Sequence, residues 1–184
     1  MNLWLRLIGV LAATRKGPRI ALPDGVSRLP MRVWLNDLDL NFHMTNGRYL
    51  TLMDLGRLDM LARAGLLRPI LRARWMPVVT GVTIRYRRSL APFQKFHLET
   101  RLTGWDEHFL FLEQRFVIPD GPAAGEIAAQ AEVRATFVER GEKPQKVPVA
   151  RLFSTLGLDL SPEPSPPATA EDTDSPGQRA ARAS

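Results

Sequence analysis

Residues 34–57 read Trp-Leu-Asn-Asp-Leu-Asp-Leu-Asn-Phe-His-Met-Thr-Asn-Gly-Arg-Tyr-Leu-Thr-Leu-Met-Asp-Leu-Gly-Arg. Two patterns meet inside them. Up to Asn46 the chain is a polar loop bearing Asp37, Asp39, His43 and Asn46. From Gly47 onward Tyr49, Leu50, Leu52, Met53, Leu55, Leu58, Met60 and Leu61 put apolar side chains on nearly every side of a helix. A helix that is apolar almost all round belongs in a core. The spacing predicts a helix over Asn46–Ala64, with Asn46 or alternatively Thr45 as its cap and Gly65 as its stop. The amino end of such a helix carries unpaired N–H groups and a partial positive charge. That end suits a developing oxyanion, and an acid in the loop before it suits acyl chemistry.

Downstream the pattern changes to strands. Val82, Ile84 and Tyr86 alternate with Thr83, Arg85 and Arg87, the period of a half-buried strand, and the strand is expected over 78–88. Further strands are expected over 93–105, 109–118 and 126–139, with Pro119-Asp120-Gly121-Pro122 as a turn and a short closing helix over 149–156. Residues 66–74 read as a second helical piece broken near Pro69. Upstream, Met31–Leu35 read as a short first strand. One helix followed by long strands joined by short connections argues for an α+β fold with antiparallel neighbours. A flat sheet cannot cover a helix with so many apolar faces, whereas a curved one can.

Three segments are expected. Residues 1–30 form an amphipathic amino-terminal segment and an extended lead-in, 31–158 the folded domain, and 159–184 a disordered Pro/Ser/Ala-rich tail that cannot bury enough apolar surface to order itself. The apolar run of residues 1–13, interrupted by Arg6, is shorter than the ~20 residues of a spanning helix. Its charge order is wrong for a signal peptide. It either packs on the domain or lies on a membrane surface through residues 1–16.

The chain has 184 residues and 45% hydrophobic content, which suits one globular domain. It contains no cysteine, which excludes disulfides, a thiol nucleophile and a cysteine zinc site and is compatible with a cytoplasmic location. The three histidines show no carboxylate–histidine spacing suited to a metal. A net charge of +6 favours anionic partners. No interleaved aromatic platform for nucleic acid is evident, and neither a phosphate-binding glycine loop nor a Gly-x-Ser-x-Gly elbow occurs.

The 34–57 stretch resembles the signature of the hotdog-fold acyl-CoA thioesterases of the 4-hydroxybenzoyl-CoA thioesterase-like group. In that signature an aromatic residue is followed by two aspartates, Gly-His, Asn, Tyr-Leu, and then an acid and an arginine down the helix. Asp37, Asp39, His43, Asn46, Tyr49, Leu50, Asp54 and Arg57 fall on those positions. With Arg-Arg-Ser-Leu at 87–90 the chain looks closest to the thioesterase superfamily member 6-like branch. The resemblance covers roughly residues 31–153, and Phe42 stands where many members have glycine. It implies a curved antiparallel sheet of about five strands around one central helix. The implied activity is hydrolysis of an acyl-CoA thioester with no metal or redox cofactor, coenzyme A being part of the substrate. The implied assembly is a homodimer or a dimer of dimers. A non-catalytic acyl-binding protein on the same fold is the alternative, and a hydratase or dehydratase ranks below it.

The candidate catalytic residues are Asp39, His43 and Asp37. The resemblance makes Asp39 a nucleophile or a general base for water, whereas taken alone it reads as a turn aspartate. Asp37 is a structural acid or a second catalytic one, and His43 either orients a carboxylate or stabilises the loop. Asn46, Gly47 and Tyr49 are candidate substrate contacts through the first amides of the helix, although Asn46 also reads as a plain cap and Tyr49 as packing. Arg87 and Arg88 are candidates for the coenzyme A phosphates, since guanidinium donates in pairs. Asp54 and Arg57 are expected to pair with each other.

Overall fold

The structure is a computed structural model, described here over residues 3–141 and 144–158. The elements in chain order are α1 (Leu3–Lys16), β1 (Ser27–Arg32), α2 (Asn46–Arg63), α3 (Leu67–Arg72), β2 (Trp75–Tyr86), β3 (Lys95–Trp105), β4 (Leu110–Val117), β5 (Ile127–Glu139), β6 (Gln145–Lys146) and α4 (Val149–Leu156). The strands form one antiparallel sheet in the order β1-β3-β4-β5-β2, with the two-residue β6 added to β5. The sheet is curved, a half-barrel with α2 packed against its inner face.

The packing follows from the apolar pattern. Leu52, Met53, Leu55 and Met60 of α2 form one cluster with Phe96, Leu98, Leu112, Phe116 and Val133 of the sheet. Each such side chain contributes about 1.5–3 kcal/mol when fully buried. Gly56 lets the helix come close. A Cβ there would sit 2.8 Å from Leu98 and 2.9 Å from both Gln114 and Thr100. The fully buried Gln114 is satisfied at this contact, its Nε2 donating to Met53 O at 3.0 Å and Thr100 Oγ1 at 2.9 Å. A second cluster of Trp75, Trp105, Phe137, Leu152 and Phe153 lies under α3 and α4.

Two expectations about segments need correcting. The first strand begins at Ser27, inside the stretch read as lead-in, and ends at Arg32. Pro30 obscures it in the sequence, but β1 is an edge strand paired only with β3, where proline is tolerated. Pro69 does not break α3, because it sits in the first turn of that helix, where a missing N–H costs nothing. The amino-terminal run forms α1 and packs on α2, the first of the two placements expected for it. Val10 joins the core and Arg6 is buried, while Trp4, Leu5 and Ile8 face outward. The stop at Gly65 has the expected form, with φ +76° and Leu66 N–H donating to Leu61 O at 2.9 Å. The tail over 159–184 lies outside the described residues.

Candidate active site

The 34–46 loop is pinned at both ends and folded on itself between. Met44 N–H donates to Leu90 O at 3.0 Å and Thr45 N–H to Asp37 O at 2.9 Å. Leu38 and Met44 face each other across the loop as an isolated bridge. Inside that bridge Asp39 N–H donates to His43 O at 2.8 Å. Asp39 Oδ1 accepts the N–H groups of Asn41 at 2.9 Å and His43 at 3.1 Å. One carboxylate oxygen is thus fixed by the loop, and the other faces solvent without a partner among the described residues. Phe42, at the position of glycine in the signature that the loop resembles, holds the glycine-type conformation with φ +58°. The loop therefore keeps the turn at a steric cost of roughly 1–2 kcal/mol, and the Phe42 ring lies 71% exposed.

Asp37 is placed quite differently. It is 1% exposed. Its Oδ2 accepts Trp34 N–H at 2.8 Å and pairs with the buried Arg6 guanidinium of α1. Arg48 Nε lies 3.0 Å from Oδ1, at an angle too poor for a hydrogen bond. Asp37 thus ties α1, the loop and the first turn of α2 together. The sequence carried one signal of this contact, the arginine interrupting the apolar run of residues 1–13. A second buried pair, Asp59 with Arg63 at 2.7 Å, also receives the Ser27 hydroxyl at 2.5 Å. It fastens β1 to α2 and was not among the expected contacts, although the four-residue spacing of Asp59 and Arg63 is a signal for it.

At the start of α2, Thr45 supplies no side-chain cap, and the space beside Gly47 is open. Asn46 and Gly47 are exposed, as is the His43 imidazole. Tyr49 is buried with its ring 5.1 Å from Tyr86 and 4.8 Å from Phe116. Burial pushes its phenol up to about 12, against a weaker opposing contribution from a hydrogen bond with the Leu90 backbone. It is therefore a packing residue with no proton to give up near neutrality. Tyr86 Oη reaches Asn46 O at 3.5 Å, which puts the end of β2 beside the helix start. Arg88 pairs on the surface with Glu126 at 2.5 Å and Arg87 reaches Gln130 at 3.5 Å. Both face solvent rather than the loop.

Asp54 and Arg57 pair as expected, and Arg57 Nη1 also donates to Gln114 Oε1 at 2.7 Å. Burial lowers the Arg57 pKa, partly offset by Asp54. The pair stands at an apolar cavity of about 320 Å³ between the second half of α2, α3, α4 and the sheet. No residue of the 34–47 loop lines that cavity. Within one chain Asp39 therefore adjoins open solvent, and the apolar cavity opens further along α2.

Residues 33–171 match the family described as the Thioesterase-like superfamily. The chain belongs to that superfamily. Protein THEM6 of Danio rerio is 46% identical to this thioesterase-like chain over 118 residues, covering 63% of the chain and 58% of the relative. The match thus spans under two thirds of that relative's length. The crystal structure of YbaW, a probable thioesterase from Escherichia coli, superposes with a TM-score of 0.63 at 20% identity, covering 70% of this chain and 95% of that one. A 4-hydroxybenzoyl CoA thioesterase mutant complexed with 4-hydroxybenzoyl CoA superposes with a TM-score of 0.64 at 11% identity, covering 71% and 98%. These two likenesses establish the hotdog fold for the thioesterase-like domain.

Proposed function

We propose that this thioesterase-like protein hydrolyses an acyl-CoA thioester to the free acid and coenzyme A. The observation that carries the reading is the Asp39 carboxylate. Two loop amides hold one of its oxygens and leave the other open, in the loop that leads into α2, where Thr45 supplies no side-chain cap. As general base, Asp39 takes a proton from water while the water oxygen bonds to the thioester carbon. The amides of Asn46 and Gly47 receive the oxyanion. Collapse breaks the carbon–sulfur bond, and the thiolate takes the proton back from Asp39. As nucleophile, Asp39 would itself bond to that carbon before water releases the acid. On this reading His43 orients the water or the carbonyl. Arg87 and Arg88 meet the coenzyme A phosphates, Arg88 exchanging Glu126 for phosphate.

The site is completed by a second copy of the chain. β2 is an edge strand, and Met76, Val79, Val82 and Tyr86 stand exposed along it. A long apolar edge is a template for pairing. Pairing of β2 with its counterpart would bring a wall against Tyr86 and hence against the start of α2. On this basis Val82→Lys shifts the protein to monomer in sedimentation and lowers turnover. A variant that stays dimeric would refute pairing through β2.

The function is tested by thiol release from acyl-CoA with wild-type protein and Asp39→Asn. The substitution keeps the loop acceptor and removes the base, and a loss on the order of 10²–10⁴ in turnover is expected. Wild-type rates in the variant would overturn the assignment of Asp39. Binding of acyl-CoA without any thiol release in the wild type would favour the non-catalytic acyl-binding alternative.

A further inference from the structure

The cavity beside Asp54 and Arg57 carries an inference about the substrate, one that rests on the hydrolase reading. Its lining is aliphatic and aromatic, with Leu58, Leu61, Val78, Leu102, Ala135 and Phe153 among the walls. Among the described residues Asp54 and Arg57 are its only charged or polar lining side chains; Arg57 donates to Asp54 and to Gln114, and the largely exposed Asp54 carboxylate stands at the cavity's mouth. Beyond that pair no lining side chain offers a donor or acceptor to a buried ligand hydroxyl, and an unpaired polar group there would cost about 1–3 kcal/mol. The volume of about 320 Å³ falls at the lower end of small-ligand pockets, roughly 300–1,000 Å³.

The cavity lies further along the same helix than the proposed site. Leu50, Asp54, Leu58 and Leu61 follow one another at helical spacing along α2. This stripe starts at Leu50, exposed in the second turn of α2, and its Asp54, Leu58 and Leu61 line the cavity. From Asn46 to Asp54 the helix rises about 12 Å. The chain's own carboxyl-terminal segment is a poor occupant. It follows Leu158 at the cavity wall, but residues 159–184 contain Leu160 as their one large apolar residue.

We infer that this cavity takes the far end of an unbranched alkyl acyl chain, whose thioester lies at the start of α2 and whose first carbons follow the Leu50–Asp54–Leu58 stripe. Hydroxyaryl acyl groups, such as the 4-hydroxybenzoyl group of the complex that shares this fold, would carry a hydroxyl that these apolar walls leave unpaired.

The test is calorimetric binding of non-hydrolysable alkyl-CoA thioethers, butyl to hexadecyl and below their micelle concentrations, to the full chain. Thiol release from the matching thioesters is measured in parallel. Affinity is expected to stay flat for short chains and then rise by up to about fourfold per added methylene once the chain reaches the cavity, levelling when the cavity is full. Val78→Trp, at the rim on β2, and Leu61→Phe, on α2, should each abolish the gain from long chains and leave butyl binding unchanged. Affinity independent of chain length, insensitivity of long-chain binding to both folded variants, or a 4-hydroxybenzyl thioether binding as tightly as dodecyl would overturn the inference. Length-dependent binding without thiol release would uphold the cavity and sink the hydrolase reading. Hydrolysis with no dependence on length would do the reverse.

Discussion

Asp37 and Asp39 are near neighbours in one loop, yet the same substitution should affect them in opposite ways. In Asp37→Asn the carboxylate facing Arg6 and Arg48 loses its charge. Arg48, with a quarter of its side chain exposed, can turn to water. Arg6 has 4% of its side chain exposed, and its remaining acceptor is Arg32 O at 3.3 Å. Removing one partner of a buried pair costs about 3–5 kcal/mol. The asparagine can still accept the Trp34 N–H, so the lower end applies, about 3 kcal/mol. With a urea slope of about 2 kcal/mol/M, the midpoint should fall by roughly 1.5 M. Asp39 lies at the surface, and asparagine there keeps an acceptor for the Asn41 and His43 amides. The expected cost is about 0.5 kcal/mol, roughly 0.25 M in midpoint, while turnover falls on the order of 10²–10⁴. Urea titrations followed by tryptophan fluorescence give the midpoints. Thiol release measured well below each midpoint gives the rates. An unchanged midpoint in Asp37→Asn would refute the anchoring role. A stable, fully active Asp39→Asn together with an inactive but stable Asp37→Asn would reverse the two roles.

Two further substitutions probe the loop and the sheet. Phe42→Gly should raise the melting temperature, because it relieves a left-handed φ of +58° at an exposed side chain. A gain of up to about 1 kcal/mol corresponds to roughly 2–4 °C, and a fall in melting temperature would show that the ring packs against something. Glu113 pairs with Arg101 at 2.6 Å and Arg115 at 2.9 Å and accepts from Gln130 at 2.6 Å. Burial raises its pKa, but the hydrogen bonds and charges of Arg115 and Arg101 together outweigh that and hold it below the ordinary 4.5. Its folded pKa is depressed, so its stabilisation is fully present above about pH 4.5 and is lost as pH falls through the folded value. Glu113→Gln should therefore flatten the acid limb of a stability–pH curve, and an unaltered limb would rule Glu113 out as its cause.

The sequence by itself determined the α2 helix and its glycine stop, the order of the long strands and the loop that precedes the helix. Each rests on a local cause, whether apolar period, cap chemistry or a residue that tolerates positive φ. It also pointed to Asp39, through the spacing of Asp37, Asp39, His43, Asn46 and Tyr49. Between the two readings the sequence left for Asp37, the tertiary structure chose the structural one. Asp37 and Asp39 are both aspartates in one polar loop, and what distinguishes them is Arg6, which lies 31 residues away in the chain from Asp37. The same holds for Ser27 against Asp59 and for Gln114 beneath Gly56, polar groups whose partners come from other elements. The cavity was equally out of reach. Leu58, Val78, Ala135 and Phe153 read as ordinary core residues in their own segments, and the space they leave exists only where four elements fail to fill the volume between them.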